Sequence, residues 1–519
     1  MTKNYKKTLF SPYTNNQSMM KTIFTFFAVI VSFTISSQII NIPDANFKAY
    51  LVGNPEININ GDSEIQLSEA TNFTGEIDCQ GINILDLTGI EHFTQLTALN
   101  CTSNKLTQLD LSNNLMLNTL ECTFNQLTSL DISKNQLLKQ LICVGNELEN
   151  LDLSKNAPLN YVNCAVNKLT TLDVSKNINL NFLDASVNML SELDVSKNTE
   201  LYLLHFSSNQ IHNIELSNNL ILMSLDCSAN PISNLNMESN LSLTSLSCSN
   251  ILMNNFDISK KTELKYFSCR SNNLELLDIS NNTKLQTIDC RNNKLIHLDT
   301  SKNPLLQDLY ISANEFTTLD FSKNLNLEQI HCDKNKLVNL DLSKNLNLKV
   351  LWCSENQIKN LDLSKNEKLT NIDCEKNNLT SLNLKNNHNS LIFPANEYSY
   401  RVFSTLNNPE LKCILVDDIN YSNTYWINKD SWTSFNTNCL LAVNDNKKNT
   451  IQIYPNPVKD KFIINTNDKI ENIEIYSQTG QLLKTTKSKE VNIFDLPKGN
   501  YLVKIKTDKE AITQKIIKE

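Results

Sequence analysis

The sequence contains few of the residues from which catalytic and metal sites are usually built. Only 8 of its 519 residues are Gly and only 6 are His. Phosphate-binding loops need glycine where the backbone approaches the phosphate, and many metal sites need clustered histidine. The motifs CxxC, HExxH and GxSxG are absent as well. We therefore expect a protein that is not an enzyme and that holds no cofactor.

The chain also has fewer positively charged than negatively charged residues. The chain has 47 Lys and Arg residues against 55 Asp and Glu residues, which gives a net charge of −8 at pH 7. Proteins that bind nucleic acid usually carry a basic surface that offsets the phosphate charge. Nucleic acid is therefore not an expected partner of this chain.

Long apolar runs are missing from most of the chain, with one exception near its start. Lys21 precedes a mostly apolar run at 23–35, and small residues follow that run. This order is typical of a secretory signal peptide, and the run is short for a membrane span of about 20 residues. We expect residues 1–37 to hold an upstream extension and a signal peptide, with the natural start at Met19 or Met20. An uncleaved anchor is the alternative; if the peptide is cleaved, the mature chain has no transmembrane segment.

The cysteines, by contrast, are numerous and regularly spaced. Eleven of the 14 cysteines are separated by 21 residues or a multiple of 21. The same period carries a leading Leu through fourteen units, from Leu96 to Leu369, and two Asn positions that are each kept in thirteen units. The cysteines in phase are Cys101, Cys122, Cys143, Cys164, Cys227, Cys248, Cys269, Cys290, Cys332, Cys353 and Cys374. Such a repeat predicts a solenoid of stacked coils.

Each unit has a simple physical interpretation. Leu99-x-Cys101 alternates like a short strand with one buried face, and Leu109-Asp-Leu111 alternates again on the opposite side of the coil. One unit is too small to bury its own apolar side, so stacked neighbours must form the core together. We expect the cysteines to be buried free thiols and the two Asn columns to bond backbone groups at the turns.

The unit L-x-x-L-x-C-x-x-N-x-L resembles a leucine-rich repeat in which Cys replaces one consensus Leu. The 21-residue length and the cysteine column are similar to the internalin J class of bacterial surface proteins. This resemblance implies a mainly β solenoid of 14 units over residues 96–387. Residues 38–95 are then expected to form an N-terminal cap and a first irregular repeat.

The predicted N-terminal cap contains a weak calcium motif. Asn58, Asn60, Asp62 and Glu69 have the spacing of ligands in a calcium-binding loop. Asn58 replaces the usual leading Asp, however, and Ser63 replaces the turn Gly. Two interpretations remain open, a calcium site and a helical cap that covers the apolar end of the solenoid.

The repeat pattern decays after Asn387. Residues 388–440 are predicted to form a C-terminal cap, and they contain the out-of-phase Cys413 and Cys439. These two cysteines are candidates for a disulfide that closes the cap, with two independent buried thiols as the alternative. Residues 441–450 are polar and are interpreted as a linker.

Residues 451–519 have a different composition and no cysteine. Short alternating stretches are separated by turn signals at Gly480 and Pro497, which predicts a small β-sandwich. The motif Tyr-Pro-Asn-Pro-Val at 454–458 and the stretch Leu-Pro-x-Gly-x-Tyr-Leu-Val at 496–503 resemble the C-terminal sorting domain of type IX secretion. The resemblance implies that the type IX secretion machinery is a partner. It also implies a secreted or outer-membrane surface protein of a Gram-negative bacterium.

Aromatic residues at the outward strand positions are the candidates for ligand binding. Tyr310, His331 and Trp352 occupy the same position in three successive units, and Tyr161 and Phe182 do so two residues earlier in the unit. Neighbouring candidates are Asp289, Asp308 and Tyr202. The alternative is that strand-favouring residues simply tile the sheet. We predict adhesion to, or recognition of, a protein or glycan partner through the concave face, with a structural or accessory surface role as the alternative.

Overall fold

A computed structural model describes residues 38–392, 403–439, 451–466, 468–477, 480–509 and 511–519. The predicted signal peptide and linker lie outside these ranges. The chain divides into two compact units, one that ends at Thr437 and one that begins at Asn438. Each unit is described separately below.

The first unit begins with a helical cap. Its helices are α1 (Ala45–Gly53), α2 (Leu67–Asn72) and a 3₁₀ turn at Ile90–His92. The Asp44 carboxylate accepts hydrogen bonds from the backbone N–H groups of Asn46 and Phe47, at 2.9 and 3.0 Å, and so starts α1. Phe47 on α1 is fully buried in the core of the solenoid. The cap therefore closes the apolar N-terminal end of the stacked coils.

One short strand from each coil joins a single parallel sheet of sixteen strands. In chain order the sheet consists of β1 (Glu76–Asp78), β2 (Ala98–Asn100), β3 (Thr119–Glu121), β4 (Gln140–Ile142), β5 (Tyr161–Asn163), β6 (Phe182–Asp184), β7 (Leu203–His205), β8 (Ser224–Asp226), β9 (Ser245–Ser247), β10 (Tyr266–Ser268), β11 (Thr287–Asp289), β12 (Asp308–Tyr310), β13 (Gln329–His331), β14 (Val350–Trp352), β16 (Asn371–Asp373) and β18 (Phe403–Ser404). The middle residue of each strand is buried. From β2 to β14 each residue pairs with the one 21 positions further on.

A second parallel sheet lies on the other side of the last coils. It consists of β15 (Asn360–Asp362), β17 (Ser381–Asn383), β19 (Cys413–Leu415) and β20 (Ser434–Asn436). In earlier coils the matching segment is reduced to a single bridge between Asp110 and Asp131. There Asp110 and its counterparts accept a hydrogen bond from the backbone N–H of the Ser two residues later. The predicted second extended segment therefore forms a regular strand only near the C-terminal end.

The leucines and cysteines fill the space between the two sides of the coils. Leu99, Cys101 and Leu106 have no exposed surface, and the same holds for their counterparts in the neighbouring coils. One contiguous core runs from Ile40 to Phe435. Stacking thus buries the apolar side that no single coil could cover. The expected mainly β leucine-rich-repeat solenoid is confirmed.

Two columns of buried Asn hold neighbouring coils together. In the first column, the Asn125 amide donates to the carbonyls of Cys101 and Cys122, at 3.0 and 3.1 Å, and accepts from the Leu106 N–H. In the second column, the Asn135 amide donates to the carbonyls of Leu111 and Asn114. These side chains satisfy turn groups that would otherwise be buried without a partner.

One coil lacks both Asn residues. Ile251 replaces the first and Lys261 the second, and both side chains are buried. The Lys261 ammonium donates to the Met237 carbonyl at 2.6 Å, whereas Asn240 makes two such bonds in the preceding coil. Burial also lowers the pKa of Lys261, because the charged form loses its hydration. Lys261 thus makes one of the two inter-coil hydrogen bonds that an Asn would make, and its ammonium loses hydration because it is buried.

We predict faster amide hydrogen exchange around residues 249–262 than in the coils on either side. The reason is that each lost turn bond costs about 1 kcal/mol, so this coil opens locally more often. Exchange followed by mass spectrometry measures the difference directly. The double variant Ile251→Asn/Lys261→Asn should restore protection to the level of its neighbours. Uniform protection of the unmodified chain would contradict the prediction.

Twelve cysteines are free and buried, from Cys79 to Cys374. Burial raises the pKa of the Cys79 thiol to about 12 and raises that of Cys101 as well. We therefore expect no reaction with a thiol reagent in the native protein at neutral pH. Twelve thiols should react after denaturation without reductant, and fourteen after denaturation with reductant. A count well below twelve in the first measurement would show that neighbouring coils are crosslinked.

The C-terminal end of the solenoid is closed by helix α3 (Ile419–Tyr425), a 3₁₀ turn at Asn389–Leu391 and the last strands of both sheets. The Trp426 ring is buried and stacks on Phe403, with 4.7 Å between the ring centroids and 14° between the planes. Cys413 and Cys439 are both disulfide-bonded. The predicted cap range also includes residues 393–402 and 440, which lie outside the described residues.

The second unit contains two antiparallel sheets. The three-stranded sheet consists of β21 (Gln452–Tyr454), β22 (Lys461–Asn465) and β25 (Glu490–Asn492). The four-stranded sheet consists of β23 (Ile470–Ser477), β24 (Leu482–Thr486), β26 (Gly499–Thr507) and β27 (Ala511–Lys518). Phe462, Ile473 and Val503 meet in a core of their own between the sheets. This arrangement agrees with the predicted β-sandwich.

Candidate binding surface

The sheet face is the solvent side of the sixteen-stranded sheet, formed by the first and third residue of each strand. Strands β1–β14 and β16 give this face thirty outward positions. Eight of these positions hold a carboxylate and none holds Lys or Arg, although the chain has 47 such residues. The carboxylates are Glu76, Asp78, Glu121, Asp184, Asp226, Asp289, Asp308 and Asp373. The strand positions of the sheet face therefore hold carboxylates in place of basic side chains, although Asp289 and Asp373 are themselves buried.

Tyr310, His331 and Trp352 lie side by side at the ends of β12, β13 and β14, as the repeat predicts. The His331 and Trp352 rings stack at 3.9 Å with 15° between their planes, and Tyr310 meets His331 edge-on at 4.8 Å. The expectation that all three rings are exposed is wrong for His331, which is 8% exposed. A strand spacing of about 4.8 Å is close to the separation of stacked rings, so rings at the same position of neighbouring strands come into contact. His331 and Trp352 therefore cover one face of each other, and Tyr310 lies against His331 edge-on.

Arg291 extends this row and was not identified from the sequence. Its guanidinium lies 5.1 Å from the centre of the Tyr310 ring and pairs with Asp289 at 2.6 Å. The charge of Asp289 is thereby paired with that of Arg291, which follows the same strand. The sequence did contain a sign of this pair, because Arg291 follows Asp289 by two residues. At that spacing a side chain can reach back along a turn.

Asp308 and Asn371 flank the row at the first position of their strands. Burial, with a smaller effect from Glu328, raises the pKa of Asp308, and Thr287 donates to it at 3.3 Å. The Trp352 indole N–H donates to the Asn371 side chain at 3.0 Å. A cavity of about 180 Å³ opens between Arg291, His331 and Trp352. That volume is enough for one partner side chain.

A second aromatic pair lies nearer the N-terminal end of the sheet face. The rings of Tyr161 on β5 and Phe182 on β6 stack at 3.9 Å with 10° between their planes. Tyr202 directly precedes β7 and is exposed. Burial, followed by the charges of Tyr202, Asp184 and Glu121, raises the pKa of Tyr161. The carboxylates of Asp184 and Glu121 therefore lie near enough to the Tyr161 phenol to act on it.

The candidate calcium loop in the N-terminal cap uses its oxygens within the protein. The Glu69 carboxylate accepts hydrogen bonds from the backbone N–H groups of Ile59, Asn60 and Gln66. The Asn60 amide donates to Asp62 at 3.0 Å, and the Asn58 amide donates to backbone carbonyls. These bonds fit a helical cap and give the four side chains a structural role. A calcium site there stays a prediction without a supporting contact.

The described part of the chain offers little for other kinds of chemistry. Within the ranges described above, no three His, Cys, Asp or Glu side chains form a group that could hold a metal ion. No helix among these residues combines the length and apolar character needed to cross a bilayer. The sheet face, with its aromatic row, is therefore the best candidate site.

Comparison with known proteins agrees with this architecture. Residues 452–519 match the family described as the secretion system C-terminal sorting domain. Internalin J of Listeria monocytogenes is 42% identical over 73 residues, which are 14% of this chain and 8% of that protein. The match thus spans less than a tenth of the length of that curated relative.

Solved structures extend the similarity over the whole solenoid. The functional domain of internalin J from Listeria monocytogenes, described as including a cysteine ladder, matches with a TM-score of 0.64 and 28% identity, over 93% of this chain and 98% of that one. A leucine-rich-repeat protein of Leptospira interrogans matches with a TM-score of 0.55 and 22% identity, over 60% and 86% of the two chains. The predicted similarity to internalin J is confirmed. The sorting domain indicates a secreted or surface-exposed protein.

Proposed function

We propose that this protein is exported by the type IX secretion machinery of a Gram-negative bacterium and recognises a protein or glycan partner through its sheet face. The row of Tyr310, His331 and Trp352 is the observation that carries the proposal. Tyr, Trp and Arg side chains are over-represented where proteins bind one another, and Arg291 lies beside this row. The cavity beside the row offers space for an anchoring side chain of the partner.

The proposal does not include catalysis. Recognition needs only a shaped and chemically complementary surface, which the row and its carboxylates supply. The geometry of the row also constrains the contact, because His331 and Trp352 stack and cover one face of each other, whereas Tyr310 meets His331 edge-on. A sugar on the covered face of Trp352 would have to displace His331, so contact with a protein is favoured over a glycan stacked there.

The variants Tyr310→Ala and Trp352→Ala are each expected to weaken binding of a partner by about 1–3 kcal/mol. Trp352→Ala should also cost about 1 kcal/mol of stability, because the ring stacks on His331. The mature protein, immobilised and screened against arrays of surface proteins and glycans, would identify the partner and measure both losses by titration.

Trp432→Ala is the matched control for this experiment. Trp432 is half-exposed and its indole N–H also donates to a backbone oxygen, that of Asn408, but it lies in the C-terminal cap. Its loss should leave binding unchanged. Partner binding that survives the double variant Tyr310→Ala/Trp352→Ala would move the site to Tyr161, Phe182 and Tyr202.

A structural or accessory role without a dedicated ligand is the second candidate. The burial of His331 favours it, since the row is partly satisfied by its own packing. The two candidates differ in one measurement. A structural role predicts that the aromatic variants change stability but bind no array component differently from the unmodified protein.

A further inference from the structure

The two ends of the sheet face differ in how their carboxylates are neutralised. Around Tyr310, Asp289 is neutralised by Arg291 at 2.6 Å. Around Tyr161 and Phe182, the third strand positions hold Glu121, Asp184 and Asp226, all partly exposed. Among the described residues, the ion pairs of the solenoid do not include any of these three carboxylates. His205 on β7 lies between Asp184 and Asp226 and hydrogen-bonds Ser224. The strand positions of this half hold no Lys or Arg, so the carboxylates leave it with net negative charge.

The three carboxylates are too far apart to share a small cation. Glu121 lies on β3, Asp184 on β6 and Asp226 on β8, so three and then two strand spacings separate them. At about 4.8 Å per strand, these distances are roughly 14 and 10 Å. A metal ion needs its ligands within about 2.6 Å of itself. An occupant that satisfies all three must be extended and must carry several positive charges.

An extended polypeptide has the required dimensions. It advances about 3.3 Å per residue, so four residues span the first gap and two to four span the second, and these even steps keep the basic side chains on one face of the segment. Lys and Arg have long side chains that reach a carboxylate while their apolar stems lie along apolar surface. The stacked rings of Tyr161 and Phe182 lie between Glu121 and Asp226 and offer that surface. The negative charge of the face would also speed the encounter with a basic partner.

We propose that the sheet face between β3 and β8 binds a Lys- and Arg-bearing polypeptide segment of a partner protein. The inference rests on the proposed function, because it assigns the partner's chemistry to the same sheet face. Glu121, Asp184 and Asp226 pair with the basic side chains, and the Tyr161–Phe182 pair contacts their stems. Binding is accordingly sensitive to salt, because exposed charges are screened over about 8 Å at physiological ionic strength.

The chain provides a closely matched control for this proposal. Asp184 and Asp226 each accept a hydrogen bond from the backbone N–H of the Ser two residues later, at 3.0 Å. On the opposite side of the coils, Asp173 and Asp194 accept the same bond at 2.8 Å. Changing either pair to Asn keeps an acceptor for this bond and removes the same charge. Only the position of the charge differs between the two variants.

The experiment measures binding of a fluorescent 20-residue Lys/Ser peptide to the full chain at 0.15 M salt, with a Glu/Ser peptide of equal length as counterpart. Glu121→Gln/Asp184→Asn/Asp226→Asn should weaken Lys/Ser binding at least tenfold. The control Asp131→Asn/Asp173→Asn/Asp194→Asn should stay within about twofold of the unmodified chain. Raising the salt to 0.5 M should remove most of the difference.

Equal losses in the two variants would overturn the proposal, since net charge alone would then explain binding. Failure of the unmodified chain to prefer the Lys/Ser peptide would overturn it as well. Neither result affects the proposed function, which falls only if the mature protein binds no array component through either aromatic group of the sheet face. A neutral partner that is lost in Trp352→Ala would keep the recognition function and exclude the basic segment.

Discussion

A chain that lacks residues 451–519 is expected to be absent from the cell surface and from the medium, and to accumulate inside the cell envelope. The reason is that the second unit matches a secretion sorting domain and has a separate core, around Phe462 and Val503. Its removal takes no residue from the core of the solenoid, so the truncated chain should still fold. Immunoblots of envelope, surface and medium fractions would measure the loss.

Transplantation of the second unit gives the control. Residues 441–519, fused behind an unrelated periplasmic protein, should direct that protein to the surface or the medium. Phe462→Asp in the fusion places a charge in the core of the second unit and should abolish export. Normal export of the truncated chain would contradict the sorting assignment. The resemblance to sorting domains also implies that about residues 445–519 are removed after export. An intact C-terminus on most exported molecules would contradict this removal and leave the sorting assignment standing.

The period of 21 residues was sufficient to predict the solenoid, because every coil must satisfy the same packing. Leu99 and Cys101 are buried as the alternation predicts, although the assigned strand is Ala98–Asn100, one residue earlier. The boundary shifts because strand limits follow backbone hydrogen bonds, which side-chain patterns do not report. The pattern therefore gave the buried face more reliably than the ends of each strand.

The repeat pattern decays after Asn387, but one of its features continues in the structure. Asn408 continues the first Asn column, since it donates to the Cys374 carbonyl at 3.1 Å and accepts from the Leu379 N–H. It lies 31 residues after Asn377, ten more than the period. An insertion in one turn breaks the register in the sequence but leaves the stacked backbone free to continue. A search for a fixed period cannot detect such a coil.

The sequence predicted which aromatic residues lie on the outer face of the sheet, but it did not predict how their rings are arranged. Alternation places Tyr310 and Trp352 on the outer face, and the structure has them there. Whether the rings stack, tilt or lie flat depends on side-chain torsions and on neighbours such as Arg291 and Asn371. No pattern along the chain encodes those torsions. The burial of His331 is the consequence that the sequence did not reveal.

Asn314→Ala is expected to destabilise the solenoid by about 3–6 kcal/mol, because three buried groups each lose a partner, at about 1–2 kcal/mol per group. The Asn314 amide donates to the Cys290 and Ile311 carbonyls at 2.9 and 3.2 Å and accepts from the Leu295 N–H at 3.0 Å. Denaturant unfolding and hydrogen exchange of the coils on both sides would measure the loss. Exchange is needed because a repeat protein can open one part at a time.

Three further variants test this explanation by the relative size of their stability losses. Asn303→Ala, in the second column, removes two donor bonds and should cost less than Asn314→Ala. Asn314→Asp should cost at least as much as Asn314→Ala, because it keeps the acceptor and places a negative charge against the carbonyls. Asn326→Ala is the control, since this exposed side chain makes one bond to the Pro304 carbonyl and should cost below about 0.5 kcal/mol. Equal costs for Asn314→Ala and Asn326→Ala would show that the core alone, and not the Asn ladder, holds the coils in register.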